Sequence, residues 1–231
     1  MTGAVTQVVV VVPARNEEQL LPGCLAALSQ AATRVPVPVL VVVVLDRCTD
    51  GTAQAARRAG VLTVPSAVGA VGAARRAGVQ AAAAQLPGLR PARTWLASTD
   101  ADSRVPVGWL AHHLALADAG ADLVVGTVVL DSPAEAPAWT RRYERAATTG
   151  RAHPHVHGAN LGVRWSAYQA TGGFAPLPAH EDVALVRQVT AVPGTRVVRT
   201  LGEPVRTSSR LRGRAPAGVA RDLRALAGGG P

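Results

Sequence analysis

At 231 residues, 48% hydrophobic and only 17% charged, the chain can bury the core of one domain, or of one domain made from two fused halves, and is too apolar for a disordered tail. Its net charge of +9 rests on Arg alone, for Lys is absent, and basicity without charge clustered beside a reading element excludes nucleic acid as an expected partner. The first apolar run follows no basic stretch and stops at Pro13, and no other run approaches the roughly 20 residues of a spanning helix, so neither a signal peptide nor a membrane span is expected and the expected location is the cytoplasm.

The first half alternates apolar strands with Ala-rich helices. Residues 8–12 are all valine, as in a strand buried on both faces of a parallel sheet. Asn16 can cap the helix that follows, with Leu20, Leu21, Leu25 and Leu28 on its inner face. A second strand covers 39–45, Asp50-Gly51 turns the chain, and 52–59 is the next helix. A short third strand at 61–64 precedes a helix over 69–85, which Pro87-Gly88 stops. The fourth strand, 94–98, runs into Thr99-Asp100-Ala101-Asp102. This rhythm predicts an α/β fold with a mostly parallel central sheet and right-handed crossovers. Ligands gather beyond the carboxyl ends of such strands, so Arg15-Asn16-Glu17, Asp46 and Asp100-Ala101-Asp102 are expected to converge on one crevice.

The second half is less regular. A helix is expected over 106–119, a long strand over 122–130, and a helix over 134–148 with Arg141, Arg142, Glu144 and Arg145 on a solvated face. A Gly/His loop over 150–160 leads to a strand at 161–164 and the turn Thr171-Gly172-Gly173-Phe174. His180-Glu181-Asp182 opens a helix to about Val189, and a strand follows at 196–200. The Arg-rich stretch 206–214, a short helix over 218–226 and a frayed end at 228–231 complete the chain.

Several of these positions can carry chemistry. Asp100 and Asp102 set two carboxylates at the rim of a buried strand, where hard oxygens suit Mg²⁺ or Mn²⁺ with substrate phosphates as further ligands. The same stretch also reads as a capping turn, with Asp102 or Ser103 capping the helix that starts near Pro106. Asp46 reads equally as an acceptor for a ribose or base edge and as part of an Asp-turn. Glu181-Asp182 is the best candidate for a general base, although acids in a first helical turn are also plain dipole stabilisers. The glycines at 69 and 72 open a helix whose amides can meet phosphate, with Arg75 adding charge. A Walker loop needs a lysine, and a dinucleotide fingerprint needs glycines where this chain has Pro13-Ala14-Arg15-Asn16, so both fall. His153, His155 and His157 alternate, but three ligands on one short loop make a poor zinc cage, and a flexible loop beside the site is expected instead. Cys24 and Cys48 are expected as buried free thiols.

Taken in order, these segments resemble a family 2 glycosyltransferase with a GT-A fold. The resemblance rests on Val9-Val10-Val11-Val12-Pro13-Ala14-Arg15-Asn16-Glu17-Glu18, the stretches 46–52 and 72–78, Asp100-Ala101-Asp102, Gly158-Ala159-Asn160-Leu161-Gly162-Val163-Arg164 with Gly172-Gly173-Phe174, and Glu181-Asp182. It implies a single GT-A domain over 1–231, with a Rossmann-like donor half at about 7–105 and a smaller acceptor half with its tail at about 106–227. It implies inverting, non-processive transfer of a hexose-type sugar from a nucleotide-diphosphate sugar to a hydroxyl of a small-molecule or lipid-linked acceptor. Pro13, Arg15, Glu17 and Asp46 then match nucleoside-pocket positions, and Arg75 a position near the donor. Asp100 and Asp102 match the acids that hold the cation-bound diphosphate, Asp102 the more direct ligand, and Asp182 matches the base with Glu181 as its fallback.

The chain also departs from the pattern. Leu45-Asp46-Arg47-Cys48 carries one acid fewer than the commoner Asp-Asp-x-Ser, which leaves the choice among UDP, GDP and dTDP open. No Gln-x-x-Arg-Trp motif is present, against a processive synthase. The 206–214 tail either closes over the diphosphate, contacts an anionic acceptor, or is simply solvated. The rival readings are a sugar-phosphate nucleotidyltransferase, which would carry a Gly-rich basic loop after the first strand, and a non-catalytic Arg-rich nucleic-acid or nucleotide-sugar binder. Oligomeric state is not set by the sequence.

Overall fold

Valines without a polar interruption put their strand where both faces are covered. β1 (Gln7–Ala14) lies between β2 (Val39–Asp46) and β4 (Thr94–Ser98), parallel to both. Val8, Val10 and Val12 enter one core and Val9 and Val11 another, as the two-residue period of a strand requires. Pro13 is tolerated here for a geometric reason. The Val11 carbonyl accepts the Thr99 N–H on the β4 side, so Pro13 presents its missing donor on that side, beyond the last pair, Val11 with Ser98.

The structure, a computed structural model, describes residues 3–132, 139, 141, 152–210, 221, 223 and 224. The sheet gains β3 (Leu62–Ser66), β6 (Leu123–Val125), β8 (Leu161–Arg164) and β9 (Val197–Arg199). The seven strands are ordered β3-β2-β1-β4-β8-β6-β9, and all neighbours are parallel except those of β8. This is a mixed α/β fold with a mostly parallel sheet, as the strand–helix rhythm predicts. α1 (Leu21–Ala32), α2 (Thr52–Arg58) and α4 (Trp109–Asp118) pack on one face. α3 (Val71–Gln85), α5 (Trp165–Ala170) and α6 (Glu181–Thr190) pack on the other.

The second half departs from expectation in instructive ways. The strand expected over 122–130 divides into β6 and β7 (Val128–Leu130), which belong to different sheets. Asn160 causes the break: its side chain stands where a Cβ on Gly126 would come within 2.3 Å, and its amide donates to the Thr127 carbonyl at 2.9 Å. The chain turns there into a small sheet of β5 (Ser103–Arg104), β10 (Val205–Thr207) and β7. Ser103 therefore sits in a strand instead of capping α4, which starts from Gly108. β10 also orders the first part of the Arg-rich tail, and α5 fills the gap between β8 and the Gly172-Gly173 turn. The helix expected over 134–148 with its Arg141, Arg142, Glu144 and Arg145 face, the helix over 218–226 and the frayed end lie outside the described residues apart from 139, 141, 221, 223 and 224. Trp139 and Leu223 are buried in the α1–α4 core.

Candidate active site

β1, β2 and β4 run side by side in one direction, so the loops that follow them open at one edge of the sheet. The first two loops are tied together. Asn16 accepts the N–H of Thr49 at 2.8 Å, Thr52 accepts that of Glu17 at 2.7 Å, and Glu18 accepts that of Gly51 at 2.7 Å. Asn16 is thus spent on the β2 loop and does not cap α1, whose first turn hangs from the Glu17 carbonyl. Asp50 opens α2 as expected, accepting the Thr52 N–H at 3.0 Å. Three non-glycine residues with left-handed backbone stand at this edge: Asn16 (φ 54°) after β1, Arg47 (φ 53°) after β2 and His180 (φ 62°) before α6. Such conformations cost about 1 kcal/mol or more and persist where the surroundings over-determine them, which is typical of functional loops.

Arg75 lies at the centre, 3% exposed. The start of α3 brings it in at close quarters: a Cβ on Gly72 would meet the Ala175 carbonyl oxygen at 2.0 Å. Its Nε donates to the Ser98 hydroxyl at 2.9 Å, its Nη2 to Asp100 at 2.5 Å, and its Nη1 to Glu181. Burial works against the Arg75 charge, yet Glu181, Asp100 and Asp182 hold its pKa above the ordinary value. Burial raises the Asp100 pKa although a third of the side chain reaches solvent; Arg75 opposes the shift, and Asp182 and Glu17 add to it. Burial likewise raises Glu181 against Arg75. Asp182 accepts the Gly158 N–H at 2.7 Å.

Asp102 is pushed up to about 7 by burial and then by Asp100, with Arg210 opposing. Arg210 is the residue that sequence reasoning failed to single out from the tail. Its guanidinium grips Glu17 at 2.8 and 2.5 Å and Asp102 at 2.8 Å. It arrives there because Thr207 of β10 pairs with Ser103 of β5, and the Ser208 N–H bonds the Asp102 carbonyl. The apolar–polar alternation of Val205-Arg206-Thr207 is the signal that could have found this strand.

Glu17, Asp100, Asp102, Glu181 and Asp182 are therefore gathered around two arginines. Asp46 belongs to the neighbouring loop: it is 5% exposed, and its Oδ1 accepts the Ser66 hydroxyl and the Gly69 N–H, both at 2.9 Å, which fixes the approach to α3. Pro13 and Arg15 are half-buried at the same rim. Among the described residues no three acids, histidines or cysteines stand close enough to hold a metal ion by themselves. Asp102 nonetheless fits a divalent cation, because a hard carboxylate held up by burial and a like charge is relieved by one, with phosphate oxygens completing its shell.

The alternating histidines do not form a loose loop group. His153 is 1% exposed and within 3.2 Å of the Val125 and Thr200 carbonyls, while His157 packs on Trp139 at 5.6 Å. Cys24 is buried and Cys48 half-buried, both free. Their thiols lie 3.4 Å from the Asp100 carbonyl and 3.3 Å from the Ala14 carbonyl, and burial pushes both pKa values up.

The model of the family described as "Glycosyl transferase family 2" matches residues 9–172. An uncharacterized glycosyltransferase of Mycobacterium tuberculosis is 37% identical over 119 residues, which is 52% of this chain and 47% of that protein; one of Mycobacterium bovis matches equally. The chain spans about half the length of these curated relatives. Among solved structures, a mannosyltransferase from Pyrobaculum calidifontis in complex with GDP-Man and Mn²⁺ superposes with a TM-score of 0.64 at 23% identity, over 91% of this chain and 59% of that one. Residues 1–349 of Staphylococcus aureus TarS, in complex with UDP-GlcNAc, give 0.63 at 16% identity, over 96% and 66%. At these identities the structures share the GT-A fold with this chain.

Proposed function

The chain belongs to glycosyl transferase family 2, and we propose from that premise that it moves a sugar from a nucleotide-diphosphate sugar to an acceptor hydroxyl. The observation that carries the reading is the single cluster of Glu17, Asp100, Asp102, Glu181 and Asp182 at the carboxyl edge of the sheet. Neighbours of the same fold with GDP-Man or UDP-GlcNAc bound support a hexose-type donor.

The donor half, about 7–105, supplies the nucleoside rim from Pro13, Arg15, Glu17 and Asp46, and the half at about 106–227 faces the acceptor. A divalent cation, when bound, supplies the positive charge that stabilises a departing diphosphate without a proton. Asp102 and Asp100 would hold it, and the Mn²⁺ in the mannosyltransferase complex supports a divalent cation as the cofactor. Asp182 takes the acceptor proton as its oxygen attacks the anomeric carbon, a contribution of roughly 10²–10⁴-fold. One displacement of this kind inverts the anomeric centre. The absence of a Gln-x-x-Arg-Trp motif supports one transfer per encounter.

The test is release of nucleoside diphosphate from UDP-, GDP- and dTDP-sugars with Mn²⁺. Turnover on one nucleotide class is expected, and EDTA should stop it. Asp102→Asn should cost roughly a thousandfold, equivalent to about 4 kcal/mol of barrier. Undiminished turnover in EDTA would overturn the cation role. Release of pyrophosphate from a nucleoside triphosphate and a sugar phosphate would replace the reading with nucleotidyl transfer.

A further inference from the structure

Arg75 is where the two acidic segments meet, and its surroundings are shaped around it. The fork is shared between Asp100, at the end of β4, and Glu181, at the start of α6, while Nε is held by Ser98. The Phe174 ring lies 5.8 Å from its guanidinium carbon. A Cβ on Gly158 would come within 2.5 Å of Nη2, and one on Gly72 within 2.8 Å of the Glu181 Cβ, so both glycines leave room for this arrangement. A side chain that is 3% exposed and turned onto protein carboxylates presents its charge to them and not to a ligand.

The next residue along α6 is held differently. Asp182 is half-buried and accepts backbone N–H groups, from Gly158 at 2.7 Å and Val183 at 2.8 Å. Amide donors fix the orientation of this carboxylate and leave it outside the guanidinium fork that takes up Glu181.

We infer that Arg75 is a positioning residue that captures Glu181 as a fixed counter-ion, locks Asp100 to α6, and thereby leaves proton abstraction to Asp182. The inference rests on the glycosyl-transfer reading above. With water as acceptor, Asp182 takes a water proton, the oxygen bonds the anomeric carbon, and the bond from that carbon to the diphosphate breaks, the diphosphate leaving as the anion.

The experiment uses the full chain, Mn²⁺, and UDP-glucose, UDP-GlcNAc and GDP-mannose as probes, measuring nucleoside diphosphate release and, separately, donor Kd. Asp182→Asn should lower kcat by 10²-fold or more with donor Kd within fivefold of wild type, the low end of what a general base contributes. Glu181→Gln, whose amide oxygen still accepts from Arg75, should lose about tenfold or less. Arg75→Met should lower kcat at saturating donor by roughly 10²-fold with donor Kd again within fivefold, and adding Glu181→Gln to it should cost no more than about threefold further, because the two act as one unit. Arg75→Lys should resemble Arg75→Met, since one ammonium cannot serve two carboxylates in a fork. A large rise in donor Kd with kcat preserved in Arg75→Met would make Arg75 a donor ligand and overturn the inference, as would Glu181→Gln losing as much as Asp182→Asn. If Arg75→Met does not fold, the Glu181 and Asp182 variants, which keep Arg75, decide alone. Wild-type protein that neither binds nor cleaves any probe overturns the glycosyl-transfer reading instead.

Discussion

Arg210 holds three carboxylate oxygens with one guanidinium, two on Glu17 and one on Asp102. A unit charge at 4 Å is worth about 4 kcal/mol at an effective dielectric constant of 20, and less here because a quarter of the Arg210 side chain meets solvent. That charge lowers the negative potential where a divalent cation would bind. Arg210→Ala should therefore tighten Mn²⁺ binding, lowering Kd roughly three- to tenfold, equivalent to about 1 kcal/mol. Isothermal titration with Mn²⁺ at low salt checks this; weaker binding would mean that Arg210 organises the acids more than it competes for them. The individual acids of this site were legible in the sequence because each directly follows a buried strand or opens a helix. Arg75 was legible as a charged position as well, but the ion pairs and Arg210 were not, since Arg75 lies 106 residues from Glu181 and Arg210 lies 193 from Glu17, and no local pattern encodes such a meeting.

The elements show the same division. β4 and β8 fall at 94–98 and 161–164 as hydrophobic runs bounded by polar residues predict, whereas the break between β6 and β7 is marked locally only by Gly126 and depends on Asn160 arriving from a distant segment. Asn160 also joins α4 to β4. Its Oδ1 accepts from the Trp109 indole at 2.8 Å and lies 3.2 Å from His113 Nε2, while the Trp95 indole donates to His113 Nδ1 at 3.3 Å. The ring is therefore neutral with its proton on Nε2, and burial lowers its pKa to about 4, Asn160 opposing. The folded state resists protonation while the unfolded chain takes a proton near its ordinary pKa. The stability is thus complete above pH 6.5 and is lost as pH falls toward 4, by about 3 kcal/mol for this one group. Urea unfolding at pH 7 and pH 4.5 should show that loss. His113→Gln, which keeps a donor toward Asn160 but does not titrate, should flatten the difference by about 2 kcal/mol. An equal pH dependence in both proteins would place the acid sensitivity elsewhere.

At the scale of the whole molecule, the site is assembled from the ends of three parallel strands, the second turn of α3, the first turn of α6, and the strand that orders the tail. The central sheet is fixed by local hydrophobic pattern, but the joints between these parts are a few charged contacts. A ligand that spans them should consequently stabilise the fold as a unit, since it binds the assembled state and not the separate loops. A nucleotide sugar at 100 times its Kd adds about 2.7 kcal/mol. For a domain of this length that raises Tm by roughly 5–11 °C. The expected pattern is a shift with the right nucleotide sugar that grows when Mn²⁺ is added, and a cation-dependent part that disappears in Asp102→Asn while a smaller nucleotide-dependent part survives through Asp46 and the β1 loop. Loss of both parts in Asp102→Asn would mean that the nucleoside rim binds nothing without the acids of the β4 loop, and the two halves of the crevice would then be one site energetically as well as geometrically.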